Sequence, residues 1–153
     1  MKNHFNLWML SLVSVFLFFA CKSSQGTTDH AVEAPNLYGT SWQVETMGPA
    51  TGKSAPVMEG TVITVNFADK SIQGKASCNT YNGACEIKGT NMTVNTLGLT
   101  RKMCDEPRGG MNQESAFIEM MQGAQSFTLM EDGMLKINCS GERVMYLSKR
   151  SGD

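Results

Sequence analysis

Thr61-Val62-Ile63-Thr64-Val65-Asn66-Phe67 alternates residue by residue and places Ile63, Val65 and Phe67 on one side. A period of two fits an extended strand with one buried face, whereas an amphipathic helix needs apolar residues every three or four positions. The same period returns in Thr40-Ser41-Trp42-Gln43-Val44-Glu45, with Trp42 and Val44 inward. Turn residues separate such runs at short intervals. Ala68-Asp69-Lys70 leads into Ser71-Ile72-Gln73-Gly74-Lys75, and Gly89-Thr90-Asn91 joins Glu86-Ile87-Lys88 to Met92-Thr93-Val94. Glu131-Asp132-Gly133 joins Phe127-Thr128-Leu129 to Leu135-Lys136-Ile137, and its Asp-Gly pair is the strongest short-range hairpin signal in the chain. Ser140-Gly141-Glu142 then turns into Val144-Met145-Tyr146-Leu147. The pattern predicts a mainly β (α+β) fold of about eight antiparallel strands, which close or nearly close into a small barrel filled by its own side chains.

One segment breaks the period. Phe117, Met120, Met121 and Ala124 recur at helical spacing behind Asn112, with Glu114 close to the start. This predicts a single amphipathic helix over 112–123, capped by Asn112, with Glu114 complementing the positive end of the helix dipole, laid against or plugging the sheet.

The amino-terminal stretch reads as a targeting segment. Lys2 precedes an uncharged apolar run from Leu7 to Ala20, shorter than the about 20 residues that a spanning helix needs. It has the proportions of a secretory signal peptide over residues 1–20. Phe18-Phe19-Ala20-Cys21 resembles a bacterial lipobox, with Phe18 in place of the usual aliphatic residue. That resemblance implies acylation of Cys21, and two or three acyl chains anchor a protein where one gives only marginal binding. Residues 21–35 are rich in Ser, Thr, Gln and Gly and read as a lipidated flexible tether. Lys22-Ser23-Ser24 offers neither an aspartate directly after the cysteine nor an acidic cluster, which points to the outer membrane with the domain, residues 36–150, facing the periplasm.

Charge narrows the partners. Removal of residues 1–20 takes away Lys2 and no acid, leaving 12 Lys and Arg against 14 Asp and Glu. No basic field remains to hold a polyanion, so nucleic acid is not an expected partner.

Two cysteine-bearing segments stand out within the domain, Cys78-Asn79-Thr80-Tyr81-Asn82-Gly83 and Leu99-Thr100-Arg101-Lys102-Met103-Cys104. Together with Leu37-Tyr38-Gly39-Thr40-Ser41-Trp42 and Glu114-Ser115-Ala116-Phe117, they resemble the META/HslJ domain of bacterial envelope proteins over most of Leu37 to Leu147. The resemblance implies a barrel-like envelope domain associated with stress tolerance, without a settled molecular activity. Two positions depart from the family pattern: Ser77 stands where a glycine usually precedes the cysteine, and Cys85 where an aromatic residue is common.

With Cys21 assigned to lipid, Cys78, Cys85, Cys104 and Cys139 form an even set in an oxidising compartment, which allows three pairings. Cys78 with Cys104 is favoured because these are the two motif cysteines. Cys85 with Cys139 is then expected, since both interrupt strand-like segments at positions the family does not require. A zinc site from the four thiolates is the weaker reading, as no Cys-x-x-Cys pair is present.

Catalytic chemistry finds little material. His4 falls in the signal peptide and His30 in the tether, which removes Ser-His and Cys-His pairs from the domain. Asp105 and Glu106 follow a cysteine beside Pro107 and read as a solvated turn, and Gly109-Gly110 lacks the lysine of a phosphate loop. No enzyme activity, cofactor or metal is expected. Asn79, Tyr81 and Arg101 form a candidate interaction surface, with the simpler alternative that Asn79 fixes its turn and Tyr81 caps the core. The 12 methionines read as packing residues, because a thioether copper site would want them clustered. The expected role is a monomeric lipoprotein that contacts another envelope protein. The alternatives are a carrier of a small hydrophobic or acyl ligand in a cracked barrel, and a periplasmic metal or redox module.

Overall fold

The structure, a computed structural model, describes residues 34–105 and 107–151. Its elements in chain order are β1 Thr40–Pro49, β2 Ala55–Pro56, β3 Thr64–Ala68, β4 Ser71–Lys75, β5 Thr80–Lys88, β6 Asn91–Val94, β7 Gly98–Leu99, α1 Gly110–Gln122, β8 Ala124–Leu129, β9 Leu135–Cys139 and β10 Arg143–Lys149. Around the wall the order is β1, β3, β4, β5, β6, β8, β9 and β10, and β10 pairs with β1 to close an eight-stranded antiparallel barrel. The two remaining strands are short additions. β2 pairs with β1 at Thr46 and Met47, beyond the reach of β3, and β7 pairs with β5 at Tyr81 and Asn82.

The junctions differ in strength. β1 and β10 pair at seven positions, from Trp42↔Lys149 to Pro49↔Arg143, across a bulge between Val44 and Thr46. β6 and β8 meet at Asn91↔Ser126, reinforced by the Phe127 N–H donating to the Thr90 carbonyl at 2.9 Å.

Inward positions follow the alternation. Trp42, Val65, Phe67, Ile72, Leu135, Ile137 and Leu147 are buried, and α1 adds Phe117 and Met121 to the same core. Full burial of a side chain such as Phe117 stabilises by about 1.5–3 kcal/mol relative to exposure.

The helix begins earlier than its apolar spacing predicts. Its cap is Gly109, with φ 95°, and not Asn112, which lies in the first turns and is exposed. Glycine adopts that left-handed conformation without a Cβ clash, so the chain turns sharply after Pro107 and enters the helix at once. The Gly110 N–H reaches the Pro107 carbonyl at 2.9 Å, and the Gln113 N–H reaches the Gly109 carbonyl at 3.0 Å. The buried stripe is Gly110, Gln113, Glu114, Phe117, Met120 and Met121, so Gln113 and Glu114 occupy core-facing positions. Glu114 is therefore an internal hydrogen-bonding group, in place of the surface acid at the helix dipole that its position suggested.

Candidate functional site

The end of the barrel where β3 starts, β4 ends and β5 starts is closed by irregular chain and by the first turns of α1. Here Cys78 and Cys104 are joined by a disulfide, with Cα atoms 6.0 Å apart across a separation of 26 residues. The expected motif pairing is therefore present. The second expected pairing is not: Cys85 and Cys139 are free and buried. Cys85 lies on β5 and Cys139 on β9, with β6 and β8 between them. At about 4.8 Å per strand step they stand roughly 14 Å apart around the wall, well beyond the about 7 Å limit for a disulfide. Burial pushes both thiols from 9.0 up to about 11, with Arg143 opposing the shift at Cys139, so both are protonated, inert packing groups near neutral pH.

Asn79 is 2 % exposed and ties three segments together. Its Oδ1 accepts from the Thr100 hydroxyl at 2.7 Å and from the Lys102 N–H at 2.8 Å. Its Nδ2 donates to the Lys102 carbonyl at 3.2 Å and to Glu114 Oε1 at 2.9 Å. Glu114 Oε2 accepts the Asn79 backbone N–H at 2.6 Å. One amide thus holds the strap at 100–102 by both backbone groups of Lys102, and one carboxylate holds that amide from the helix. The neighbouring Gln113 does the same for another loop, accepting the Met58 N–H at 2.7 Å and donating to the Thr61 hydroxyl at 2.8 Å and to Ser77 Oγ at 3.3 Å.

Ser77 holds a backbone conformation that suits glycine better. Its φ is 83°, in the left-handed region that a side chain disfavours, and its hydroxyl and N–H are bonded to Gln113 and to the Val62 carbonyl.

Tyr81 lies inside the wall. Its hydroxyl donates to the Thr64 carbonyl at 2.9 Å, and its ring meets Phe117 edge-on with centroids 5.3 Å apart. Burial, with a smaller effect from Cys85, pushes its phenol well above the usual range. Of the three residues expected to form an interaction surface, Asn79 and Tyr81 are therefore internal and Arg101 is exposed. The polarity that suggested a surface serves internal hydrogen bonds. Among the described residues, no buried side-chain nitrogen or oxygen lacks a partner.

Exposed side chains gather on the strap. Arg101, Lys102 and Met103 all face solvent, and Met103 is 86 % exposed despite its apolar side chain. The notch beside the disulfide, between Thr61, Ser77 and Pro107, measures about 100 Å³ and holds no more than a few waters. A larger apolar groove of about 480 Å³ lies between β2 and α1, lined by Met47, Pro49, Met58, Ala116 and Met120 with Arg143 at its edge. Sequence reasoning missed Gln113, Glu114 and this groove. The available signal was two adjacent polar residues set within the apolar stripe of the helix. Among the described residues, no three His, Cys, Asp or Glu side chains group as metal ligands. Cys21, His4, His30 and Glu106 lie outside the described residues.

Comparison with known proteins agrees with this architecture. The profile of the META domain matches residues 35–151. No curated protein matches the chain. Among solved structures, a protein from Burkholderia xenovorans determined by NMR is 21 % identical with a TM-score of 0.65, over 76 % of this chain and 85 % of that one. A second protein determined by NMR is 22 % identical with a TM-score of 0.53, over 72 % of this chain and 89 % of that one. A DUF4847-family protein from Bacteroides vulgatus is 13 % identical with a TM-score of 0.52, over 76 % of this chain and 96 % of that one. At these identities the likeness is one of fold.

Proposed function

Since this chain belongs to the META domain family, found in bacterial envelope proteins, we propose that it is a non-enzymatic lipoprotein domain that serves envelope stress tolerance by contacting another envelope protein. An acylated Cys21 would hold it at the outer membrane, with the domain facing the periplasm. The observation that carries this reading is the strap at 100–104. It has no regular secondary structure, yet it is fixed by a disulfide at Cys104 and by Asn79 at both backbone groups of Lys102. A segment so tied down while presenting Arg101, Lys102 and Met103 to solvent is preorganised for contact, and Met and Arg are side chains that interfaces favour. The motif residues around it are committed to one another by hydrogen bonds and offer no free nucleophile or base.

Photo-crosslinking residues placed at 101 and 103 in living cells test the proposal, with position 131 on the far hairpin as control. Recurrent capture of one envelope protein from 101 and 103 but not from 131 is expected. Absence of adducts from both strap positions, or equal capture from 131, would reject the contact. Cys21→Ala is expected to move the chain from the membrane fraction to the soluble periplasmic fraction, and retention in the membrane would reject the anchor.

The apolar groove beside β2 favours a second reading, a carrier for a small hydrophobic or acyl ligand. That ligand would sit against Met47, Met58 and Met120, because the barrel interior is filled by the core. Solvent extraction of the purified chain that yields no lipid would count against it.

A further inference from the structure

The outer wall opens where the ladder between β3 and β4 fails. Asn66↔Gln73 is paired and Ile63↔Ala76 forms an isolated bridge. Between them the Lys75 N–H turns to Thr64 Oγ1 at 3.0 Å, while the Thr64 carbonyl accepts the Tyr81 hydroxyl. Gly74 keeps this arrangement possible, since a Cβ there would overlap the Thr64 carbonyl. Over the break lies a groove of about 550 Å³, a size within the ~300–1,000 Å³ of small-molecule sites.

The chemistry of its rim is unusual for a chain with a slight excess of acids. Asn66, Gln73 and Asn82 contribute amides, Thr80 a hydroxyl, and Lys75 and Arg150 positive charge, with no Asp or Glu in the lining among the described residues. Among the described residues neither cation is in an ion pair, and the three amide side chains make no hydrogen bond. Each amide both donates and accepts, which matches neighbouring hydroxyls on a sugar ring. A guanidinium and an ammonium together match a carboxylate or a phosphate. A bare phosphate would leave the amides idle, and a neutral sugar would leave the cations idle.

We propose that this groove binds an anionic saccharide, a sugar carrying a carboxylate or a phosphate, with its hydroxyls on the three amides and its acid group at Lys75 and Arg150. The site goes beyond the protein contact proposed above, because it uses neither Arg101 nor Met103.

Titration of the ¹⁵N-labelled full chain in detergent with glucose 6-phosphate, glucuronate, glucose and inorganic phosphate tests it. One of the two sugar acids is expected to shift the Asn66, Gln73 and Asn82 side-chain amides and to bind about tenfold or more tighter than glucose or inorganic phosphate. Lys75→Ala and Arg150→Ala, both at exposed positions, are each expected to weaken the sugar acid about tenfold and to leave glucose unchanged. Equal affinity for inorganic phosphate and glucose 6-phosphate would assign the groove to a bare anion and overturn the proposal. So would shifts confined to other regions, or no shift with either sugar acid at millimolar concentration.

Discussion

Cys78 and Cys104 lie on irregular chain at the end of the barrel and are bonded, whereas Cys85 and Cys139 lie in strands, turn inward and remain free. The difference shows where a small β-barrel needs a covalent tie. Strand residues are already positioned by their ladders and by the core, so a thiol there acts as a small apolar filler. The strap around Cys104 has no ladder of its own and would be lost from the fold without a substitute.

The largest expected effect tests the bonded pair. Replacing Cys78 and Cys104 together by serine should cost about 3.5 kcal/mol, from the chain entropy of a closed loop of 26 residues. Urea unfolding measures it, and trypsin should cut faster at Arg101 and Lys102. A loss below about 1 kcal/mol would mean that hydrogen bonds alone hold the strap. Asn79→Ala examines that non-covalent half. It removes the side-chain partners of Thr100 and Lys102 and one of the two Asn79 donors to Glu114, whose Oε2 keeps the backbone N–H, and should cost about 2 kcal/mol, because buried polar groups are left unpaired.

The free pair should respond more gently. Cys85→Ala and Cys139→Ala should each cost about 1 kcal/mol, the scale of a small cavity. Iodoacetamide at pH 8 should label neither thiol in the native chain and both in urea without reductant; native labelling would refute their burial. Their folded values lie above the ordinary 9.0, so stability is constant below about pH 9 and falls as pH rises towards about 11, where the unfolded chain loses thiol protons first. Deleting both thiols should reduce that alkaline slope, the part that remains above about pH 10 coming from the buried Tyr81 phenol. The smallest effect is at the hinge of the clamp. Ser77→Gly relieves a left-handed φ but gives up the hydroxyl that accepts from Gln113 and adds the entropy cost of glycine, so thermal unfolding should show a change of no more than about 0.5 kcal/mol.

The strands were readable from the sequence because alternation and turn chemistry are local, and a barrel wall has one wet and one dry face. Asn79 and Tyr81 were harder. A polar side chain suggests a surface until its partners are known, and those of Asn79 come from positions 100, 102 and 114. Glu114 was assigned to the helix dipole for the same reason: its true donor lies 35 residues away. The start of the helix was misplaced because Asn112 has capping chemistry, while the glycine that performs the turn has no side chain to announce it. The pairing of Cys85 with Cys139 came from counting cysteines, and parity carries no information about which strands are neighbours.

The long pairing of β1 with β10 sets a timetable. It includes a Ser148 hydroxyl bonded to Glu45 across 103 residues of sequence, and the chain emerges from synthesis with β1 first. One edge of the opening strand therefore waits, unpaired, until nearly the last residues arrive. Contacts of such separation slow folding and leave an exposed edge in the interval. A nascent chain of this kind gains by delaying closure until both end strands of the barrel are present.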